Sequence, residues 1–340
     1  MNDSTRQEIS PGPGTGTASR RNDLTVGLLS NPNSGRNRRQ LQDIERIVAN
    51  HPGVHHRVTH SAAEIPAALQ ELADRSVEVV AINGGDGTTA QILTHLLQDS
   101  PFPRLPRVAL LPGGTTNMNA GDAGLRGNLE RAVTRLCRWS DGRSDHCELL
   151  QRPVLRVQPG NGEPAIYGMA FGAGAVIQGI EYFHEQVHSR GGGKGAGPAL
   201  AVARTIWGIA RRDQRFLKPV PVSVSLDAQP AGPVQDELLL VVSGMERLLL
   251  GMRPFWGKGN GSLHTTIIRD GAERLLRTLP SVLRGKPGRH ATEAAGYRSH
   301  NSETIRLELD GAWALDGELY QAHPSTGPVT ITNGGDVTFL

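Results

Sequence analysis

The sequence predicts a mixed α/β protein in two parts, an N-terminal parallel-sheet domain followed by a C-terminal β-sandwich domain. Three observations predict it. Between Leu24 and Leu111, apolar strand-like runs and amphipathic helix-like runs alternate four times, as in a mostly parallel sheet with helices on both faces. Beyond about Asp145 the pattern changes to short β-rich segments separated by turn residues, as in an antiparallel sandwich. Three N-terminal strands end in turns built from Gly, Asn, Ser, Asp and Thr, and a parallel sheet gathers such turns at one rim, where its ligands bind.

Residues 1–22 are rich in Ser, Thr, Gly and Pro and read as a disordered tail. Residues 24–29 are a first strand, ended by the turn Asn31-Pro32-Asn33-Ser34-Gly35. A basic helix start at Arg36 passes into Leu41, Ile44, Ile47 and Val48 on one face; residues 54–59 form a second strand and 62–74 a second helix. The third strand, 77–82, runs through Asn83-Gly84-Gly85-Asp86-Gly87-Thr88-Thr89 into a helix carrying Ile92, Leu93, Leu96 and Leu97. A fourth, 108–111, leads to Pro112-Gly113-Gly114-Thr115-Thr116-Asn117. The sandwich segments are 153–157, 166–172, 220–226, 238–243 and 304–309. A glycine-rich loop at 190–197 and a helix at 198–212 through Trp207 interrupt them. The final strand, 329–340, can return to either domain, so the expected division is 1–22, 23–144 and 145–328 with that strand left open.

A chain of 340 residues is comfortable for two domains, and 37% hydrophobic with 20% charged residues is a globular balance. The net charge of +3 permits an anionic substrate or an acidic membrane surface and requires neither; nucleic acid is not an expected partner. Cys137 and Cys147 are too few for a disulfide framework or a cysteine-rich zinc site, which points to a reducing cytosol. No apolar leader opens the sequence, and no run approaches the ~20 apolar residues that span a bilayer. The expected location is cytoplasmic, with any membrane contact peripheral.

The chemistry concentrates in the glycine turn. Without Cβ atoms, Gly84, Gly85 and Gly87 can take positive φ and let backbone N–H groups approach an anion. The following helix contributes the positive end of its dipole, and Thr88 a hydroxyl. Asp86 repels phosphate, so a carboxylate there suggests a divalent cation or a proton acceptor. The structural alternative is a tight strand-to-helix turn.

Taken together, the Asn31-to-Gly35 turn, the Gly-Gly-Asp-Gly-Thr loop, Leu111-Pro112-Gly113-Gly114-Thr115-Thr116-Asn117 and a late Leu315-Asp316-Gly317-Glu318 resemble the diacylglycerol kinase catalytic family, which includes bacterial soluble lipid kinases and sphingosine kinases. The resemblance implies a nucleotide-binding α/β domain, a sandwich domain for lipid, and phosphorylation of a lipid hydroxyl by ATP and Mg²⁺ between them. It further implies ATP contacts from Asn31, Pro32, Asn33, Ser34, Gly35, Thr59, Gly84, Gly85, Asp86, Gly87, Thr88, Thr89, Gln91, Gly114 and Thr115. Asp316 and Glu318 fall at the catalytic centre, Glu318 as proton acceptor, with Asp86 and Asp316 on Mg²⁺ directly or through water. Taken alone, Asp316-Gly317 is also a hairpin-turn signal.

The chain departs from the family pattern at two places. Ala90 and Gln91 stand where an Asn-Glu pair is usual, and Asn260-Gly261 stands where an Asp-Gly helps hold a structural Mg²⁺, for which Asn is the weaker ligand. Three other functions are open: an NAD kinase-like enzyme, which shares the glycine loop, an inert ATP-binding module, and a zinc protease. The last rests on His184-Glu185-Gln186-Val187-His188, which fits H-E-x-x-H, although Lys194 stands where one protease class has its third His. His51, His55, His56 and His60 read as surface residues, since no helical spacing gathers them across the Pro52-Gly53 turn.

Overall fold

The computed structural model describes residues 24–143, 148–160, 162–189 and 218–340, with Arg204, Thr205, Gly208, Arg211, Asp213 and Phe216 between them; for 183–189 it describes the backbone alone. The expected tail, the glycine-rich loop and most of the helix through Trp207 lie outside the described residues.

Strand β1, Val26–Ser30, is buried along its whole length. It pairs in parallel with β2, Val54–Val58, on one side and β3, Val79–Gly84, on the other, and β3 pairs in parallel with β4, Arg107–Pro112. The order is therefore 2-1-3-4. In such a sheet the strand order reverses between β1 and β3, which opens a crevice at their carboxyl ends. Helices α1, Asn37–Val48, and α5, Leu129–Ser140, cover one face through Ile44, Val48, Val133 and Leu136. Helices α2, Ile65–Asp74, and α3, Asp86–Gln98, cover the other through Leu69, Leu72, Ile92 and Leu96. Each fully buried leucine contributes about 2–3 kcal/mol. The fit is close: a Cβ on Gly27 of β1 would lie 2.5 Å from Leu72 Cδ1, so the glycine is what lets α2 settle on the strand.

The C-terminal part is antiparallel and strand-rich. Strands β5, Leu150–Gln158, β6, Ile166–Gly168, β7, Ala170–Gly174, β8, Val220–Leu226, and β9, Gln235–Ser243, are followed by β10, Leu263–Arg269, β11, Tyr297–Ser302, and β12, Thr304–Leu309. A hairpin of β13, Gly311–Leu315, and β14, Glu318–Ala322, pairs through β13 with β7. Their inward side chains, among them Leu155, Phe171, Leu240, Ile267, Leu307 and Trp313, form one core. Helix α6, Ala175–Ser189, follows β7, and α7, Leu275–Val282, lies between β10 and β11. The short α4, Met118–Ala123, follows the turn after β4.

The last strand, β15, Val329–Phe339, joins the parts. Its first residues pair with β12, its length pairs with β5, and Phe339 lies in parallel register with Val108 of β4. It returns to both sheets, where the sequence left the choice open.

Two sequence expectations are corrected. Residues 51 and 56 are more than surface histidines: His51 Nδ1 lies 2.9 Å from Asp141 Oδ2, and His56 Nε2 lies 2.8 Å from Ser30 Oγ. Burial pushes the pKa of His56 down. The glycines of the turn after β3 also behave differently from expectation, for reasons that lie in the site.

Candidate active site at the strand ends

Gly84 ends β3, and Gly85 opens α3 with φ −92°, so the strand hands over to the helix within one peptide and no positive φ is used at Gly84, Gly85 or Gly87. Here the missing Cβ serves close approach. On Gly84 it would lie 2.7 Å from Thr88 Cβ, and on Gly114 2.6 Å from Gly85 Cα. No side chain caps α3. Its first intrahelical bond is Thr89 N–H to the Gly85 carbonyl, 3.0 Å, so the N–H groups of Asp86, Gly87 and Thr88 precede the helical ladder and point toward the crevice.

Polar side chains fix the two turns beside it. Asn31 Nδ2 donates to Thr88 Oγ1 at 2.9 Å, and Gly85 N–H donates to Ser34 Oγ at 3.2 Å. A Cβ on Gly35 would overlap Thr115 Oγ1 at 2.2 Å, which brings the turn after β1 against the turn after β4. Asn117, at φ 52°, closes that last turn: its Oδ1 accepts from Gly114 N–H at 2.7 Å and its Nδ2 donates to the Gly114 carbonyl at 2.9 Å. Below the turns, Asn83 Nδ2 donates to Ser30 Oγ at 3.0 Å, and Asn37 Nδ2 donates to the carbonyls of Asn31 and Asn83 at 2.8 and 2.9 Å. This buried layer makes the crevice floor rigid. Ser30 and Asn37 were not singled out in the sequence, because nothing in a strand end or a helix start marks the residue that will lie beneath a loop.

Asp86 accepts from the N–H groups of Met118 and Asn119, at 3.1 and 3.0 Å, and so caps α4. Burial outweighs those two bonds and raises its pKa. Asp316 sits at φ 48° in the β13–β14 turn with Gly317 at 92°, the two left-handed positions of a type I′ hairpin. It is 6% exposed. Its carboxylate accepts from the N–H groups of Met169 and Ala170, at 2.9 and 3.0 Å, and from Asn119 Nδ2 at 3.2 Å. Burial first, and the neighbouring Asp86 second, push Asp316 up to about 7. The hairpin reading and the site reading of Asp316-Gly317 therefore coincide in one residue.

Asn119 joins the two acids, through its backbone to one and its side chain to the other, and its own Oδ1 is buried with no hydrogen-bond partner among the described residues. It lies two residues past the Gly-Gly-Thr-Thr-Asn string, and no sequence signal distinguishes it. Glu318 is exposed and makes no hydrogen bond among the described residues; a Cβ on Gly87 would lie 2.9 Å from its Oε1. The hairpin thus sets a carboxylate of the antiparallel part against the glycine loop of the parallel part. Beside it, Tyr320, Trp313 and Phe171 stack in sequence, with ring centroids 4.4 and 5.2 Å apart.

Of the remaining predicted residues, Pro32 and Asn33 line the turn after β1, and Asn33 N–H donates to Asn31 Oδ1 at 2.9 Å. Thr59 is buried at the end of β2, where its N–H donates to the Ser30 carbonyl. Thr89 Oγ1 donates back to the Gly85 carbonyl at 3.2 Å. Gln91 is exposed on α3 and is not drawn into this set. Asn260 is exposed in the loop before β10. The side chains of His184, Glu185 and His188 lie outside the described residues; their backbone is helical within α6. Among the described residues, no group of three or more His, Cys, Asp and Glu is arranged to hold a metal, and no helix is long and apolar enough to cross a membrane.

Residues 25–149 match the diacylglycerol kinase catalytic domain family, a stretch that holds three of the four sequence motifs and ends before Leu315-Asp316-Gly317-Glu318. A curated relative, "Probable lipid kinase YegS-like" of Enterobacter sp. (strain 638), is 33% identical over 106 residues, which cover 31% of this chain and 35% of that protein. The matched stretch is thus about a third of the relative's length. Among solved structures, a diacylglycerol kinase from Bacillus anthracis str. Sterne superposes with a TM-score of 0.59 at 17% identity, covering 93% of this chain and 97% of that one. Two further chains from the same organism give 0.61 and 0.64 at 18% identity and the same coverage. At such identities the likeness extends the shared fold over both parts of the chain.

Proposed function

We propose that this chain is an ATP-dependent lipid kinase that transfers the γ-phosphate to a lipid hydroxyl, diacylglycerol-like or sphingoid. Residues 23–144 bind the nucleotide in this reading, and 145–328 the lipid. The observation that carries it is Glu318 set against Gly87, a free carboxylate beside a helix start that has open N–H groups and no cap. The match to the diacylglycerol kinase catalytic domain and the YegS-like relative support the acceptor class.

Magnesium fits the residues present. Mg²⁺ needs only one or two carboxylates beside water and phosphate, and it prefers oxygen. Asp86 and Asp316 would hold it, directly or through water: a carboxylate has about four lone-pair positions, so each keeps acceptor capacity beyond its present hydrogen bonds. The buried Asn119 Oδ1, which has no hydrogen-bond partner among the described residues, is a further, neutral oxygen beside them. When bound, the ion neutralises charge on the transferring phosphate. The α3 N–H groups and the Thr88 hydroxyl orient the phosphates, while Asn31 and Ser34 hold the loop in place. Glu318 accepts the proton of the lipid hydroxyl as it attacks.

The test is transfer of labelled γ-phosphate from ATP and Mg²⁺ to dispersed diacylglycerol, monoacylglycerol, sphingosine, ceramide and phosphatidylglycerol, with NAD as the soluble acceptor. Label on a lipid is expected. Label on NAD alone moves the protein to the NAD kinase-like class, and ATP binding without any transfer marks an inert module.

A further inference from the structure

We infer that the outward face of α7 and the turn beside its carboxyl end form the surface by which this protein rests on an anionic phospholipid membrane. The inference deepens the lipid-kinase reading and rests on it for the reason to visit a membrane, while the binding it asserts is measured without turnover.

Charge is the first ground. Between residues 274 and 290 lie Arg274, Arg277, Arg284, Lys286 and Arg289 with no Asp or Glu, in a chain that as a whole sets 36 Lys and Arg against 33 Asp and Glu. All five are exposed, and none forms an ion pair among the described residues. Apolar placement is the second ground. Helix α7 buries Thr278, Leu279 and Val282 against Ile268, Ala295 and Tyr297, which settles its orientation. The opposite face is Leu276, Arg277, Pro280 and Arg284, and Leu276 is 52% exposed. A helix that carries leucine and arginine outward together is suited to an interface where the side chain enters the headgroup layer and the guanidinium meets lipid phosphate.

Position is the third ground. Arg253 N–H donates to the Leu283 carbonyl at 2.9 Å at the end of α7. Just before it, the turn 249–251 thrusts Leu250 outward, 58% exposed at φ 58°. That turn packs against α4, the helix whose Asn119 touches both acids of the site. The basic and apolar surface therefore runs from α7 to the rim of the crevice, where a lipid hydroxyl must arrive. A second cationic face, Arg131, Arg135 and Arg138 on α5, has no exposed apolar residue among them and covers the opposite face of the parallel sheet from α2 and α3.

The experiment is co-sedimentation of the whole protein with phosphatidylcholine vesicles with and without phosphatidylglycerol, in low salt. Three proteins are compared: wild type, Arg274→Gln/Arg277→Gln/Arg284→Gln, and Arg131→Gln/Arg135→Gln/Arg138→Gln. Each juxtamembrane cation changes partition about five-fold, so the α7 triple is expected to lose about 100-fold on anionic vesicles while the α5 triple keeps its binding. A Leu276→Ser variant is expected to weaken binding with charge unchanged. Equal binding by the three proteins, equal loss in both triples, or no preference of the wild type for phosphatidylglycerol overturns the inference. Transfer to a short-chain lipid dispersed as monomers, run in parallel, separates the two readings: no transfer by any protein fails the kinase and leaves the binding result standing.

Discussion

Asp316 is a charged residue type held where charge is costly. It is left-handed, buried, and close enough to Asp86 for the second acid to raise it. From 3.8 in the unfolded chain to about 7 in the fold, the native state holds a proton that the unfolded state has released. The unfolded state thus binds fewer protons in this window, and stability falls as pH rises from about 4 to about 7. Asp316→Asn is expected to make that slope shallower, measured as urea midpoints across the window, and Mg²⁺ is expected to do the same in the wild type only. An unchanged slope in the variant would mean that Asp316 is ionised throughout. Glu318 is the contrasting acid, exposed and without a hydrogen bond among the described residues. Under the proposed reading Glu318→Gln lowers turnover about 10²- to 10⁴-fold and leaves nucleotide affinity as it was. A parallel loss of nucleotide binding would instead give Glu318 a binding role. Neither Asp316's burial nor Asn119's bridging was legible in the sequence. A pattern of Asp-Gly-x says hairpin and nothing of what the hairpin is pressed against, and an asparagine shows no partner 197 residues away.

At the scale of elements, three turns meet because glycine leaves out atoms that would hold them apart. The clash distances rank the consequences. A Cβ on Gly114 meets Gly85 Cα at 2.6 Å, backbone against backbone, so the two turns must separate. Gly114→Ala is expected to cost about 1–3 kcal/mol of stability and to weaken nucleotide binding. A Cβ on Gly87 meets only the end of the Glu318 side chain, at 2.9 Å, which can swing away. Gly87→Ala is therefore expected to keep the wild-type melting temperature and nucleotide affinity while turnover drops by up to about 10²-fold, the usual cost of a displaced catalytic group. If the two alanines behave alike, backbone and side-chain contacts have been misassigned. Alternation of apolar and amphipathic runs was enough to read β1 to β4 and their helices, because each has its own period and its own polar stop. The glycine loop was legible as a strand-to-helix turn, but for the wrong conformational reason, since close packing and not positive φ is what its glycines provide. Strands β10 and β11 escaped notice because they carry Thr, Ser and His without clean alternation, and β13 and β14 because each is only five residues long.

The whole molecule depends on β15 for its unity. The parallel and antiparallel parts share one continuous hydrogen-bonded sheet, and the path between them runs through this strand, from β12 at its start to β4 at Phe339, with β5 paired along its length. Phe339 is buried with Val108, Ile82 and Val337 in the core of the parallel part, yet ten residues earlier Val329 is buried with Leu307 and Leu155 in the other. A salt bridge supports the same junction: Arg152 on β5 reaches Asp122 at the end of α4 at 2.9 Å, and Asp122 also accepts from Arg247 N–H at 2.9 Å. A carboxylate of one part and a glycine loop of another keep register only if the parts cannot shear, and here the backbone itself is the rivet. Phe339→Ala is expected to destabilise by about 3–5 kcal/mol, the range for a buried phenylalanine. Because β15 belongs to both parts of the sheet, the loss should be felt in both. Native-state hydrogen exchange is the measurement, comparing amides of β3 with those of β9, and protection in the two strands should fall by the same free energy. Loss confined to β3 would mean that the parts unfold independently, and that the contact of Glu318 with the glycine loop is held by the site alone.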